Sequence, residues 1–149
     1  MYVTFFVPGI PKPKGSKNAF VLPAKNGKKP RAVIVDQKGP ELKRWASQVA
    51  WEADRFRPHT LFDGPVKLEC YFRLPPPKAL PKSKASYAIK KPDFDKLVRT
   101  VCDALSGVIY HDDSQIVESV ICKRYDDSPG VEITVSSGPD YCVGLGYQP

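Results

Sequence analysis

The sequence predicts one small domain in which β-strands and two α-helices share a hydrophobic core. Its 149 residues are enough to bury one such core but few for two. Apolar side chains alternate along residues 66–74, as in a strand with one buried face, and recur every three or four residues in two other stretches, as in amphipathic helices. The chain has no internal repeat and no linker, so residues 1–149 are predicted to form a single domain.

The first third of the chain is predicted to form three strands separated by a basic loop region. A β-rich run over residues 2–7 ends at Pro8-Gly9 and predicts the first strand. Residues 8–31 follow as a lysine- and proline-bearing region that contains a strand candidate at 19–22. Residues 32–35 are the next strand candidate, and Asn26-Gly27 between the two favours a hairpin turn.

A first helix is predicted from Pro40, a residue suited to the first helical turn, to about Arg57, next to Pro58. Its helically spaced apolar residues are Leu42, Trp45, Val49, Ala53 and Phe56. Trp45 is expected in the core. Trp51 lies off the apolar stripe, which leaves open a partly exposed packing role or a dimer contact.

The second half of the chain predicts a strand, a helix and two further strands. The strand over residues 66–74 ends at a triple proline, and a second basic loop follows over 75–92. A helix is predicted over 94–105, since its apolar side chains share one face. Strands are expected from 116 to 125 and from 131 to 136. The tail, 138–149, is predicted to be irregular and either peripheral or part of an interface.

The distribution of charge predicts a polyanionic partner. The net charge is +7, and residues 1–35 and 70–92 contain no Asp or Glu at all. Two separate acid-free basic segments favour contact with phosphates. Neither a membrane-spanning run nor a signal segment is present, and the four cysteines lack zinc-site spacing, so we expect an intracellular protein with reduced thiols.

Acidic residues cluster around the second predicted helix. Asp93 and Asp95 open it, and Asp112-Asp113 follow the turn after it. Carboxylates on a rigid helix start, joined by one from a nearby loop, suit Mg²⁺ and leave places for water and phosphate. A neighbouring cation, Lys96 or Arg99, would stabilise charge in the transition state.

A purely structural interpretation of the same residues is open as well. Aspartate is favoured at helix N-caps and in first helical turns, and Asp112-Asp113 would suit a solvated turn. At 100° per residue, Asp95, Arg99 and Asp103 align on one flank of the helix, so Arg99 would simply bridge the other two.

Two stretches of the chain resemble the RusA-type Holliday junction resolvases. The dense match spans residues 91–117, with KPDFDKL at its start and DALSGVIYHDDSQIV at its end, and GIPKPKG at residues 9–15 resembles the family's basic loop. The resemblance implies an α+β fold, with a mixed β-sheet and two main helices packed on it. It also implies a homodimeric, Mg²⁺-dependent endonuclease that cuts four-way DNA junctions symmetrically.

The resemblance places the family's catalytic carboxylates on Asp93, Asp95 and Asp113. It also exposes a departure, because Arg99 stands where the family carries a lysine, six residues after the first aspartate. Arginine keeps the charge but cannot donate a proton at neutral pH. Three alternatives stay open: Arg99 substitutes for the lysine, Lys96 or Lys91 takes over, or turnover is reduced.

The expectation is therefore a cytoplasmic junction-resolving endodeoxyribonuclease of a bacterium or a phage-infected cell, acting in DNA recombination and repair. Asp93, Asp95 and Asp113 would hold Mg²⁺, for which Mn²⁺ would substitute, and whether each protomer holds one ion or two stays open. The residues expected to position phosphates are Lys12, Lys14, Lys17, Lys90, Lys91 and Lys96. The alternatives are a phage-type branched or nonspecific DNA nuclease and a non-catalytic DNA-binding protein on the same fold.

Overall fold

A computed structural model describes residues 1–15, 18–24, 27, 29–35, 39–79 and 87–137. The elements in chain order are β1 (Tyr2–Pro8), β2 (Asn18–Leu22), β3 (Arg31–Val35), α1 (Pro40–Arg55), β4 (Val66–Leu74), α2 (Phe94–Leu105), β5 (Ile116–Tyr125) and β6 (Gly130–Ser137). A single 3₁₀ turn, Asp113–Gln115, precedes β5. The predicted helices and strands are confirmed, while the predicted tail, the Asn26 turn position and residues 80–86 lie outside the described residues.

Four strands form a mixed sheet in the order β1-β6-β4-β5. The β4–β5 pair is parallel, and the β1–β6 and β4–β6 pairs are antiparallel. Parallel neighbours need a crossover connection, and α2 lies within the segment that links β4 to β5. Strands β2 and β3 form a separate antiparallel hairpin. The expected α+β class, with a mixed sheet and two main helices, is confirmed.

Both helices contribute to one hydrophobic core over the sheet. Trp45, Val49 and Ala53 of α1 are buried, as are Leu97, Val101 and Leu105 of α2. From the sheet, β4 buries every second residue from Val66 to Leu74. Trp45 is in the core as predicted, whereas Trp51 is 59% exposed and lies under the guanidinium of Arg55.

Two further expectations concern the cysteines and the membrane. Cys70, Cys102 and Cys122 are free thiols, of which Cys70 is buried and the other two are half-buried, and Cys142 lies outside the described part of the chain. Neither helix in the described ranges combines the length and apolar character that crossing a membrane requires.

Candidate active site

The start of the first basic loop, residues 9–15, packs directly against α2 and is called the docked loop. Some 80 residues separate it from α2 in the chain. The Lys14 amide donates to the Lys96 carbonyl at 3.0 Å, and the Thr100 hydroxyl donates to the Lys12 carbonyl at 3.1 Å. The loop begins at Gly9, whose φ is +124° and whose Cα lies so close to Trp45 that an added Cβ would be 3.2 Å from the indole ring. Glycine is therefore required where the loop turns over α1 toward α2.

Asp93 occupies the N-cap position of α2, but its carboxylate makes no capping hydrogen bond. Its backbone carbonyl accepts the first helical hydrogen bond, from Leu97 at 3.2 Å. Among the described residues, the Lys96 ammonium is the cation that pairs with this carboxylate, at 3.7 Å, and the Asp93 side chain is about half exposed. Since this carboxylate does not cap the helix, the structural interpretation of Asp93 as a capping side chain is wrong.

Only two of the three charged residues on the predicted flank of α2, Asp95, Arg99 and Asp103, pair with each other. Arg99 Nη2 lies 3.9 Å from Asp95 Oδ2, with both side chains more than half exposed. Asp103, however, accepts a hydrogen bond from Lys14 of the docked loop. The expectation that Arg99 bridges two carboxylates is therefore wrong, because a cation from a distant segment already pairs with the second one.

Asp112 and Asp113 have different structural roles. The Asp112 carboxylate accepts a hydrogen bond from the Ser114 amide at 2.9 Å, while the Gln115 side chain accepts from the Asp112 amide at 3.0 Å, which completes a capping box. Hydrogen bonding from the Ser114 side chain first, and then from its backbone amide, lowers the pKa of Asp112. The Asp113 carboxylate accepts no hydrogen bond from any residue that the structure describes, so it is available for another partner.

Gln115 also anchors this turn to the rest of the domain. Its amide nitrogen donates to the carbonyls of Phe62 at 2.8 Å and Gly64 at 2.9 Å. This residue is not among the predicted site residues, although an aspartate followed three positions later by glutamine is a capping-box spacing. The anchored turn fixes the backbone that carries Asp113.

Asp113 lies near the C-terminal half of α2. Burial first, and then the negative charges of Asp113 and Asp103, raise the pKa of the Cys102 thiol to about 11. Burial also raises the pKa of Tyr110, and the neighbouring thiols and carboxylates, Cys102 first, raise it further. The Tyr110 hydroxyl donates to the Cys102 carbonyl at 3.0 Å. Cys102 is thus a protonated thiol at neutral pH, which makes it a poor metal ligand or nucleophile.

Asp113 is one of the predicted metal ligands, and an amide is a much weaker ligand for Mg²⁺ than a carboxylate, so we expect Asp113→Asn to abolish cleavage, as for Asp93 and Asp95. Asp112→Asn should be much milder, because an amide oxygen still accepts the Ser114 hydrogen bond. Single-turnover rates on a DNA junction measure both effects. The opposite ranking would assign the functional role to Asp112.

The donor chemistry of Asp93, Asp95 and Asp113 fits a hard divalent cation, since all three offer exposed carboxylate oxygens. They are not a preassembled three-ligand site: within the described ranges, no three His, Cys, Asp or Glu side chains are grouped so as to hold a metal. Mg²⁺ commonly binds through only one or two carboxylates together with waters and substrate phosphates. The metal-ligand assignment of these three residues therefore stays a prediction.

A groove of about 450 Å³ lies between the docked loop and the start of α2. Asp93 contributes to its wall, and three of the predicted phosphate-binding lysines line it: Lys12, Lys91 and Lys96. Lys14 is not in this groove and instead lines a smaller one, of about 280 Å³, with Thr100 and Asp103. Lys90 is exposed on the adjoining segment, and Lys17 lies outside the described residues.

The docked loop is less positive in space than in sequence. The Lys12 ammonium lies 3.1 Å from Glu41 of α1, and Lys14 pairs with Asp103 of α2. Local charge patterns cannot reveal these partners, because they come from elements that only the fold brings near. Any phosphate that binds here must compete with these carboxylates.

Three lysines thus line the groove in which the Asp93 side chain lies. Residues 11–136 match the sequence profile described as "Endodeoxyribonuclease RusA", so the chain belongs to the RusA endodeoxyribonuclease family. It is also 32% identical over 143 residues to a protein of Bacillus subtilis (strain 168) named "Uncharacterized protein YqaN". That alignment covers 89% of this chain and 94% of the relative. The family resemblance found in the sequence is confirmed.

Proposed function

We propose that the protein is a Mg²⁺-dependent endodeoxyribonuclease that resolves four-way DNA junctions by paired, symmetric cuts. The observation that carries this proposal is that the Asp93 carboxylate makes no capping hydrogen bond and lies in a groove lined by Lys12, Lys91 and Lys96. Anionic and cationic groups side by side suit a phosphodiester, whose oxygens are drawn to lysines while a carboxylate faces the reacting centre.

Asp93, Asp95 and Asp113 would hold the metal ion. When bound, Mg²⁺ would polarise the phosphate and make a coordinated water more acidic. The chain's own groups supply the remaining functions. Lys12, Lys91 and Lys96 bind and orient the backbone phosphates, and Arg99 stabilises the negative charge that grows in the transition state. Mn²⁺, with similar oxygen-ligand preferences, would substitute.

Two symmetric cuts require two active sites, and one protomer carries a single set of these carboxylates. We therefore propose that a homodimer is the active species, with one site for each of two opposed strands. Light scattering of the purified protein gives its mass directly, and a monomer that remains monomeric on junction DNA would contradict this part of the proposal.

We also propose that the protein acts in the cytoplasm, where the DNA that undergoes recombination and repair is located.

The deciding experiment compares a synthetic four-way junction with a plain duplex of the same sequence, each with and without Mg²⁺. Metal-dependent cleavage confined to the junction supports the proposal. Equal cleavage of both DNAs would favour the nonspecific, phage-type nuclease. Binding without cleavage, unchanged by metal, would favour the non-catalytic DNA-binding protein.

Replacing Lys12, Lys14 and Lys17 together by alanine should weaken binding to every DNA tested by similar factors. Lysines that neutralise phosphates release counterions, so the slope of log affinity against log salt should become shallower by roughly 0.9 for each phosphate that the loop no longer neutralises. Titrations of labelled junction and duplex from low to moderate salt measure this slope.

Arg57→Ala is the matched control, because it removes an exposed cation that lies 3.8 Å from a single aspartate at the end of α1. It should leave the salt slope unchanged. If the triple variant also keeps the wild-type slope, this loop lies away from the DNA, and the ion pairs of Lys12 and Lys14 serve only to dock it on α1 and α2.

A further inference from the structure

Lys123 of β5 holds the segment that leads into the active-site helix. Its ammonium donates to the carbonyl of Lys90 at 2.8 Å and to the carbonyl of Pro92 at 2.8 Å. Its own backbone carbonyl accepts a hydrogen bond from the Ala88 amide at 3.1 Å. One strand residue thus contacts this segment at three places, two of them through a side chain that is only partly exposed.

The position of Lys123 on the sheet explains this reach. In the parallel register of β4 and β5 it is paired with Phe72, whose side chain is buried in the core. Neighbouring side chains at paired positions project to the same face of a sheet, so the lysine stem leaves β5 on the core side. A lysine at a core-facing position of a strand indicates a specific polar partner. This residue is not among the predicted site residues, because only the apolar residues of the strand were considered.

The two carbonyls that Lys123 binds belong to residues three positions and one position before Asp93. The Pro92 carbonyl belongs to the peptide group whose nitrogen is the amide of Asp93, so fixing it orients that peptide plane. On the other side, the Asp93 carbonyl is held by the Leu97 amide in the first turn of α2. The Asp93 backbone is thereby fixed from both directions, while its carboxylate makes no capping hydrogen bond.

We propose that Lys123 is a positioning residue for the active site: its ammonium clamps the Lys90 and Pro92 carbonyls and so sets the place of the Asp93 carboxylate. An ammonium has three donors, and two are used here on backbone oxygens. Lys123 is not among the described residues that line the groove beside Asp93, so we expect it to act through the backbone and not on phosphate. This inference rests on the proposed function.

The test replaces Lys123 by methionine, which keeps an unbranched stem and removes all three donors, and by glutamine as a second, polar variant. Both should raise the Mn²⁺ concentration for half-maximal cleavage by about 10–100-fold, the usual cost of losing a group that orients a metal ligand. Saturating Mn²⁺ should restore most of the cleavage rate. Junction binding in EDTA should stay close to wild type, because the Lys123 ammonium binds backbone carbonyls and not phosphate.

Two readouts do not depend on cleavage. Calorimetric titration of Mn²⁺ into the DNA-free protein should show weaker binding for Lys123→Met. Amide hydrogen exchange across residues 87–93 should be faster by on the order of tenfold, since the segment has lost its anchor. Lys123→Arg, which keeps donors and charge, should fall between wild type and Lys123→Met in both measurements.

Lys67→Met is the matched control: Lys67 is a half-buried lysine of neighbouring β4 whose ammonium lies near Glu69 and Glu118, away from this segment. It should behave as wild type. Wild-type Mn²⁺ dependence and exchange in both the Lys123→Met and Lys123→Gln proteins would overturn the inference. So would a loss of junction binding as large as the loss of cleavage, which would make Lys123 a DNA contact.

The wild-type protein and Asp93→Asn together separate this inference from the proposed function. If the wild-type protein cleaves no junction with Mg²⁺ or Mn²⁺, the proposed function fails, and the role of Lys123 in cleavage fails with it. If the wild-type protein cleaves and Asp93→Asn cleaves at the same rate, the assignment of Asp93 as a metal ligand fails, and with it the positioning role of Lys123. If Asp93→Asn is inactive while the Lys123 variants retain wild-type metal dependence, only the inference about Lys123 fails.

Discussion

Replacing Asp93 or Asp95 by asparagine should abolish cleavage of a four-way junction and leave junction binding intact. The carboxylate is the group expected to hold the divalent ion, and an amide is a much weaker ligand for Mg²⁺. Removing a negative charge from a surface that is expected to face DNA should not oppose binding. Cleavage is measured in single turnover with Mg²⁺, and binding is measured in EDTA.

The structure also predicts that these two variants fold normally. Asp93 makes no capping hydrogen bond, and asparagine is accepted at N-caps as readily as aspartate, so α2 keeps its first turn. Among the residues that the structure describes, Asp95 pairs only with Arg99, at 3.9 Å between exposed groups. The melting temperature should therefore stay near wild type, and an inactive protein cannot be attributed to unfolding.

Asp54→Asn is the control for this pair, because Asp54 is an exposed helix residue with one arginine at 3.8 Å, on α1. It should cleave as wild type. Near wild-type cleavage by Asp93→Asn or Asp95→Asn would show that the assignment of metal ligands is wrong. A loss of junction binding equal to the loss of cleavage would show that these side chains act in binding.

Arg99→Ala should lose on the order of a hundredfold or more in cleavage rate, with little change in melting temperature. The ion pair with Asp95 is long and solvent-exposed, so its contribution to stability is under about 1 kcal/mol. Removing a donor that stabilises transition-state charge typically costs roughly 2.7–4 kcal/mol of barrier height, which corresponds to about a hundredfold or more in rate. A surface ion pair and a group that stabilises the transition state therefore differ in the size of the effect that Arg99→Ala would have on the cleavage rate.

Arg57→Ala is a close match to Arg99→Ala. In both cases an exposed arginine lies within one helical turn of a single exposed aspartate, at 3.8 Å for Arg57 and 3.9 Å for Arg99. Arg57→Ala should change neither cleavage nor melting temperature. If the two variants behave alike, Arg99 is a surface residue, and the cationic role passes to Lys96 or Lys91, both of which line the groove beside Asp93.

Arg99→Lys tests what kind of group is needed. The resemblance noted in the sequence implies a catalytic lysine at this position, and arginine would keep its charge but could not donate a proton at neutral pH. Recovery of much of the lost rate by Arg99→Lys would indicate that charge placement matters. A lysine variant faster than the arginine protein would indicate that proton donation matters as well, and that the natural chain works with reduced turnover.

The helices and strands that carry the site were determined by local sequence. The apolar spacing from Phe94 to Leu105 and the alternation from Val66 to Leu74 predict α2 and β4 at the bounds that the structure has. Such patterns are readable because an element with one buried face must repeat its apolar residues at its own period. The acidic motif could also be recognised from local sequence, because Asp93 and Asp95 are only two positions apart.

The partners of the site residues were decided by the tertiary structure alone. Helix periodicity aligned Asp103 with Arg99, yet the folded chain pairs Asp103 with Lys14, 89 positions away. Adjacent in sequence, Asp112 and Asp113 differ because only one of them accepts the Ser114 hydrogen bond. Lys123 meets the carbonyls before Asp93 across 31 and 33 positions. Local pattern specifies which face of an element is buried, whereas the charged groups that meet across elements depend on how distant segments pack together.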